Sequence, residues 1–392
     1  MRVLTFLHSF EPGGVERIAL RLVRRWREQG IDAPLFMGRM DGAMAADVGA
    51  DLPVIIPPRR WPGVAYWETL WMMLTLPRVI RSLRPDVLFS AGNTYAVICV
   101  FLKLWMRGDC PPIVAKVSND LDRLDAPWLQ RLFYRRWLRL QSRFIDHFVG
   151  MEEPMRDEII DGMHIASSRI SIIPDPALSD HLIARLRRHD RTDRVPNLHR
   201  HFVTVGRLVP QKNIALMLRA FANGSAPNDR LTIFGDGGAR ARLPALAARL
   251  GIAGRVEFRG YVAEPAAMLP TFDALLLSSD YEGVPAVILE ALAANIAIVA
   301  TNCSRSMPAL LMGGKLGTLV EVGNVSDLAL AISAVRPGSQ NRELSLSQAK
   351  RFTIEHAGDA YLEAMTSLTG LNANVRASRP VRRNIADVAV SR

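Results

Sequence analysis

No stretch of this chain approaches the roughly 18 to 20 uncharged apolar residues that a bilayer-spanning helix needs. The longest candidate, Tyr95 to Leu102, ends at Lys103. Cysteine is scarce: Cys99, Cys110 and Cys303 are odd in number and far apart. That argues against a disulfide framework and a zinc site, and leaves small buried hydrophobes as their reading. Lysine is rare for a basic chain, five against 44 arginines, so each lysine is an uncommon choice. GxxxxGK[ST], HExxH, CxxC and GxSxG are all missing, which disfavours P-loop ATPases, zincins and serine hydrolases. The opening MRVLTFLHSFEPGG has a short apolar run broken by His8 and Glu11. It makes a poor secretory signal and reads instead as the first strand of a cytoplasmic protein.

What is present is enough hydrophobic material, 49% of 392 residues, for two ordinary domains. The formal charge of +11 is spread as +4 over residues 1–190, +3 over 191–370 and +4 over the last 22 residues. A charge so divided argues against nucleic-acid binding as the main role. Residues 371–392 are polar, Arg-rich and non-periodic, and read as a basic disordered tail.

The first thirty residues read strand, glycine turn, helix. Val3 to Leu7 is apolar, Pro12-Gly13-Gly14 breaks it, and Val15, Ile18, Leu22, Val23 and Trp26 recur at helical spacing before Gly30. Strand-like runs follow at Val54–Ile56, Asp86–Ser90, Ile113–Val117 and Phe144–Val149. The alternation restarts in Phe202–Val205, Leu231–Phe234, Arg255–Phe258, Ala274–Ser278 and Ile296–Ala300. Strands alternating with helices imply a parallel sheet. The expectation is an α/β chain of two Rossmann-like domains, residues 1–175 and 176–370, divided at Ile173-Pro174-Asp175-Pro176, with the last helix returning to the first domain.

The strongest local signal is Ser278-Ser279-Asp280-Tyr281-Glu282-Gly283-Val284-Pro285, running into a helical Ala286–Ala293. The strand before it would deliver this loop to the carboxyl edge of a parallel sheet, where ligands of open α/β folds bind. Pro285 suits a first helical turn, so the amides of Gly283 and Val284 form an anion site backed by the helix dipole. Glu282 and Glu290 would then lie roughly 10 Å apart at ~1.5 Å per helical residue. That spacing is too wide for a shared metal or proton and suits one ligand with hydroxyls at both ends; the alternative is two unrelated glutamates. The second signal is Gly206-Arg207-Leu208-Val209-Pro210-Gln211-Lys212. Arg207 offers a planar fork and Lys212 a point charge, together enough to neutralise a diphosphate, although a solvated loop would look the same. Gly235-Asp236-Gly237-Gly238 is a third glycine turn at that edge.

The runs GRLVPQKN, IFGDGG, VEFRGYV, SSDYEGVPAVILEALA and GGKLGTLVEVGN, in this order, resemble the donor-binding half of the retaining family-four glycosyltransferases, also called glycosyl transferases group 1. SFEPGGVERIALRLVRRW is similar to that family's first glycine loop and helix. The resemblance implies a GT-B fold, two facing Rossmann-like domains with a cleft between them. It further implies a nucleoside-diphosphate sugar as donor, no metal or other cofactor, and a lipid-linked or polysaccharide acceptor. Arg207 and Lys212 would hold the diphosphate, Glu282 the transferred sugar and Glu290 the ribose. Gly206, Gly235, Gly283 and Val284 would line the donor, with Gly13 and Gly14 approaching from the opposite wall. Where many members carry a histidine facing the sugar, this chain has Asn93 and, one loop on, Asn119; these and His8 are candidate sugar or acceptor contacts, with loop-capping asparagines and a packed histidine as alternatives. A further departure is Cys303 to Ala309, where relatives have a glycine-rich turn and a glutamate. A sugar-nucleotide epimerase of the same fold is the rival enzyme, and a basic membrane-surface module the rival without chemistry. Asp120-Leu121-Asp122 matches a metal-binding D-x-D string of another glycosyltransferase fold, a three-residue match that chance supplies.

All seven tryptophans fall within residues 26–137, and WLQRLFYRRWLRLQSR, residues 128–143, carries five arginines and no acid. The expectation drawn is an N-terminal domain that docks peripherally on an anionic membrane surface through Arg131, Arg135, Arg136 and Arg139 and the tryptophans of 61–71. The alternative is tryptophans that fill the core beside a solvated arginine face.

Overall fold

A computed structural model describes residues 1–11, 13–42, 52–56, 67–119, 121, 127–188 and 199–370. The strand Val3–Leu7 (β1) is buried at all five positions, as a strand with both faces covered must be. Around it lie Leu35–Met37 (β2), Val54–Ile55 (β3), Val87–Ser90 (β4), Ile113–Lys116 (β5), His147–Gly150 (β6) and Ile170–Ile172 (β7). They form one parallel sheet in the order β3-β2-β1-β4-β5-β6-β7. A second parallel sheet contains His201–Val205 (β8), Arg230–Phe234 (β9), Val256–Gly260 (β10), Ala274–Leu277 (β11), Ala297–Thr301 (β12) and Thr318–Val320 (β13). Its order is β10-β9-β8-β11-β12-β13.

Each sheet reverses its winding once, between β1 and β4 in the first and between β8 and β11 in the second. At such a switch point the loops leaving the two central strands diverge and open a crevice at the carboxyl ends. Every singled-out residue that follows β1, β4, β8 or β11 is therefore placed by topology before any side chain is considered.

The chain divides into two units. The first is Met1–Pro176 with the terminal helix Ile354–Thr369, and the second is Ala177–Thr353. The division falls at 176/177, one position past the expected 175/176, and the second unit ends at residue 353, before the terminal helix. Trp26 explains why the terminal helix belongs to the first unit: its indole Nε1 donates to the Gly358 carbonyl at 3.2 Å. Its ring meets Phe89 and Tyr361 edge-on at centroid distances of 5.3 and 6.1 Å. Inside the same unit Lys116 and Asp175 form an ion pair with side chains 2% and 3% exposed. Buried charges persist only when so matched, so the end of the first segment is held by a specific contact as well as by its prolines.

Helix Gly14–Glu28 ends where Gly30, at φ +79°, lets the Ile31 amide reach back to the Trp26 carbonyl at 2.9 Å. The strands β2, β7 and β13, each three residues long, have no counterpart in the sequence reading. Pairing with β1, β6 and β12 defines them, rather than a pattern of their own.

Candidate functional site

Two turns at the carboxyl edge of the second sheet depend on glycine. Gly235 follows β9 at φ +131°, and a Cβ there would stand 1.9 Å from the Gly206 carbonyl oxygen. In the other direction the Gly206 amide donates to Phe234 O at 3.0 Å. The Gly235 side of this edge is thus accounted for by backbone packed on backbone, which sets the path of the loop that follows β8. Gly206 itself has ordinary backbone angles, and a Cβ on it would meet the Lys212 Cε at 3.5 Å. The lysine stem lies along the glycine, which directs its ammonium onward.

That ammonium reaches Glu282. Lys212 Nζ donates to Glu282 Oε1, the two side chains being 18% and 11% exposed. Ser279 Oγ, fully buried, donates to the same carboxylate oxygen at 2.7 Å. The two loops carrying these residues are stitched together along their length. The Asp280 amide donates to Gln211 O at 2.8 Å, Gln211 Nε2 donates to Tyr281 O at 2.8 Å, and Asn213 Nδ2 donates to Asp280 Oδ1 at 2.8 Å. Ser278 Oγ completes the seam at Lys212 O and Asn213 O, 2.9 and 3.0 Å away. Asn213 adopts the left-handed conformation, φ 43° and ψ 47°, and its Oδ1 accepts from the Leu216 amide at 3.2 Å to start the helix Ile214–Gly224. A cation and a carboxylate 70 residues apart in sequence are therefore presented by one rigid element.

From below, the Glu282 amide donates to Cys303 O at 3.0 Å. Burial, reinforced by the Glu282 charge, pushes the Cys303 thiol up to about 12, so a neutral thiol stands behind the carboxylate at physiological pH. The helix beyond the loop runs Ala286–Ala294 with Pro285 as its N-cap, one residue earlier than the first-turn position expected. Gly283 O is held by Ser304 Oγ at 2.7 Å. Among the described residues no acceptor meets the amides of Gly283 or Val284. Glu290 sits in the second turn, buried in a helix whose other eight residues are aliphatic. Arg207 projects to solvent, with no ion pair among the described residues. The structure thus joins Lys212 to Glu282, a contact the separate roles given them did not foresee, and leaves Arg207 apart from both.

In the first unit the candidates cluster at the other switch point. His8 leaves β1, its ring stacked on Tyr95 at 4.9 Å, with Nδ1 3.8 Å from Glu68 Oε2, too far for a hydrogen bond. Burial, assisted by Arg39 and opposed by Glu16, lowers the His8 pKa below its ordinary value of 6.5. The sign follows: the unfolded chain binds this proton more readily, so His8 costs stability as pH falls through 6.5. His147, lowered by its own burial, adds to the same slope. His8→Asn should therefore flatten, without abolishing, the fall in Tm between pH 7 and pH 5; an unchanged slope would show His8 to be solvated.

Gly13 caps helix Gly14–Glu28 at φ −116°, and Gly14 has nothing within 4 Å of where a Cβ would be. Gly14→Ala should hold stability to within about 0.5 kcal/mol. A fall in turnover with unchanged Tm would then report a ligand approaching this turn. Asn93 Oδ1 accepts from the Ser118 amide at 3.1 Å, and the Asn93 amide donates to Ser118 Oγ at 3.4 Å. That reciprocal clamp supports the loop-capping alternative for Asn93. Asn119 is exposed. Asp120 and Asp122 lie outside the described residues, as do Trp61 and residues 371–392. Among the described residues no three His, Cys, Asp or Glu side chains gather as metal ligands.

Sequence reasoning missed Ser279 as the second partner of Glu282, and the Gln211–Asn213 seam. Both sit within the runs singled out, yet hydrogen bonding between distant loops leaves no spacing signal.

Comparison with known proteins follows the same division. A profile described as Glycosyl transferases group 1 matches residues 190–351, and one described as Glycosyltransferase Family 4 matches residues 12–177. The lipopolysaccharide core biosynthesis glycosyltransferase LpsE of Rhizobium meliloti is 30% identical, over 93% of this chain and 99% of its own length. The GalNAc-alpha-(1->4)-GalNAc-alpha-(1->3)-diNAcBac-PP-undecaprenol alpha-1,4-N-acetyl-D-galactosaminyltransferase of Campylobacter jejuni is 23% identical over 75% of this chain and 78% of its own. Among solved structures, Anabaena Alr3699/HepE in complex with UDP superposes with a TM-score of 0.73 at 19% identity, covering 94% of this chain and all of that one.

Proposed function

The chain belongs to the group 1 glycosyl transferases, a family of GT-B fold, and on that premise we propose that it transfers a hexose from a nucleoside-diphosphate sugar to an acceptor hydroxyl with retention of anomeric configuration. The observation that carries the proposal is the Lys212–Glu282–Ser279 constellation at the switch point of the second sheet. In this reading the donor's diphosphate lies against Lys212, Arg207 and the amides of Gly283 and Val284. The ribose reaches Glu290, and the sugar meets Glu282.

During transfer the bond from the anomeric carbon to the β-phosphate oxygen breaks, and one to the acceptor oxygen forms on the same face. Negative charge grows on the departing diphosphate, and preorganised cations and helix-terminal amides stabilise it without reorganising. Glu282 is poorly suited to act as a base or nucleophile, because one of its oxygens already accepts two hydrogen bonds. The acceptor's proton passes instead to the leaving phosphate oxygen. Glu282 then acts by orienting sugar hydroxyls toward the positive site. No divalent metal is needed in this scheme, so EDTA should leave turnover unchanged.

The names of the relatives support an acceptor on a lipopolysaccharide core or a lipid-linked glycan. HepE bound to UDP makes uridine nucleotides the first probes. A thermal-shift screen against UDP-, GDP-, ADP- and dTDP-linked sugars tests the proposal, because a ligand of the folded state raises Tm. One nucleotide series should stabilise the protein, with the bare diphosphate giving part of the shift. No shift with any of them would remove the donor assignment.

A further inference from the structure

A second feature lies on the first unit. The helices Glu68–Leu83, Ala96–Met106 and Trp128–Gln141 connect β3 to β4, β4 to β5 and β5 to β6, all advancing the same way along the sheet. Right-handed crossovers place such connections on one face. Consecutive members of this trio are in contact. Helix Gly14–Glu28 advances the opposite way and packs with the terminal helix.

The outward side of this layer is unusual for a surface in water. Trp67, Leu70 and Leu74 are exposed and recur at helical spacing, followed on the same stripe by exposed Arg78 and Arg81. On the next helix Leu104 and Trp105 are exposed, and the Trp105 ring stacks on Phe101 at 5.6 Å. The third presents Trp128, Leu129, Leu132 and Phe133, then Arg136 and Arg139. Trp67, Trp105 and Trp128 are 68%, 61% and 75% exposed, so they do not fill the core, whereas Trp26 does. The only acid in the three helices is Glu68, which is buried and accepts from Arg39 Nε at 3.1 Å. The exposed side therefore carries arginines and no carboxylate. The next helix, Pro154–Met163, exposes Asp157 and Asp161 and marks the edge of the surface. Arg131, of the arginines singled out in the sequence, is half-buried and falls outside it.

We propose that this three-helix face docks on an anionic lipid bilayer, its tryptophans entering the interface and its arginines meeting lipid phosphates. Charge complementarity selects the partner. Interleaved aromatic and cationic side chains with no acid fit a sheet of anionic headgroups over hydrocarbon. Self-association would bring arginines of one copy against those of another.

The test is partition of the full chain onto vesicles of phosphatidylcholine mixed with phosphatidylglycerol, and onto vesicles of phosphatidylcholine alone. Wild type should bind the anionic vesicles at low salt, release as salt rises, and bind the neutral ones weakly. Arg136→Gln with Arg139→Gln should lower the partition coefficient on the order of tenfold or more. Trp105→Ala with Trp128→Ala should lower it too and remove a blue shift of tryptophan emission seen on binding. All variants should keep the wild-type Tm and its shift by nucleotide, which separates failure here from failure of the donor assignment. Removal of residues 371–392 should leave most of the binding. The proposal is overturned if wild type stays in solution at low salt, if the helix variants bind as wild type does, or if tail removal alone abolishes binding. It is equally overturned if the tryptophan variant dissociates a dimer without changing partition.

Discussion

Lys212→Ala should lower kcat at least tenfold while lowering Tm. Two separate effects are expected because the lysine does two things. Its charge would stabilise the leaving diphosphate, a charge-assisted contact worth about 1.5–3 kcal/mol, and ~1.4 kcal/mol is tenfold in rate. It also neutralises Glu282, whose side chain is 11% exposed and would keep, among the described residues, only Ser279 Oγ as a side-chain hydrogen-bond donor. An uncompensated, largely buried carboxylate destabilises the fold. The double variant Lys212→Ala with Glu282→Gln separates the effects. It should recover much of the Tm, since no stranded charge remains, yet stay at least tenfold slow. Recovery of turnover together with Tm would show that the lysine serves only the fold.

Glu290→Ala should weaken binding of the bare nucleoside diphosphate by about tenfold or more, the loss expected for a hydrogen bond to a charged group. Glu282→Ala should leave that affinity within about threefold, a difference under 1 kcal/mol, and lose turnover instead. The distinction follows from position. Glu290 lies in the second turn of the buried, aliphatic helix that follows the loop holding Glu282. Calorimetry with both variants decides it; equal losses of nucleotide affinity would contradict the division of the two carboxylates between ribose and sugar.

Five of the six strands of the second sheet were legible, since runs such as Ala274-Leu275-Leu276-Leu277 are strongly apolar and turn residues bracket them. The short strands β2, β7 and β13 were not, since three residues hold less than one full alternation and their neighbours define them. The loop residues Arg207, Lys212 and Glu282 stood out through residue type after a strand. Their pairing did not, because it depends on β8 and β11 being neighbours across 70 residues of chain. The helix 128–141 showed the converse: its arginine and tryptophan content was plain in the sequence, but only burial separated exposed Trp128 from half-buried Trp137.

The central claim is that a nucleotide-linked sugar is consumed by transfer to an acceptor. It is tested most directly by following nucleoside diphosphate release from the stabilising donor, with and without a lipopolysaccharide-core or lipid-linked glycan acceptor fraction, with NMR of the product linkage. The account predicts that release is slow alone, rises at least tenfold with acceptor, matches product mole for mole, and leaves the anomeric configuration of the donor in the product. Donor converted to its epimer without acceptor, or a product of inverted configuration, would contradict it.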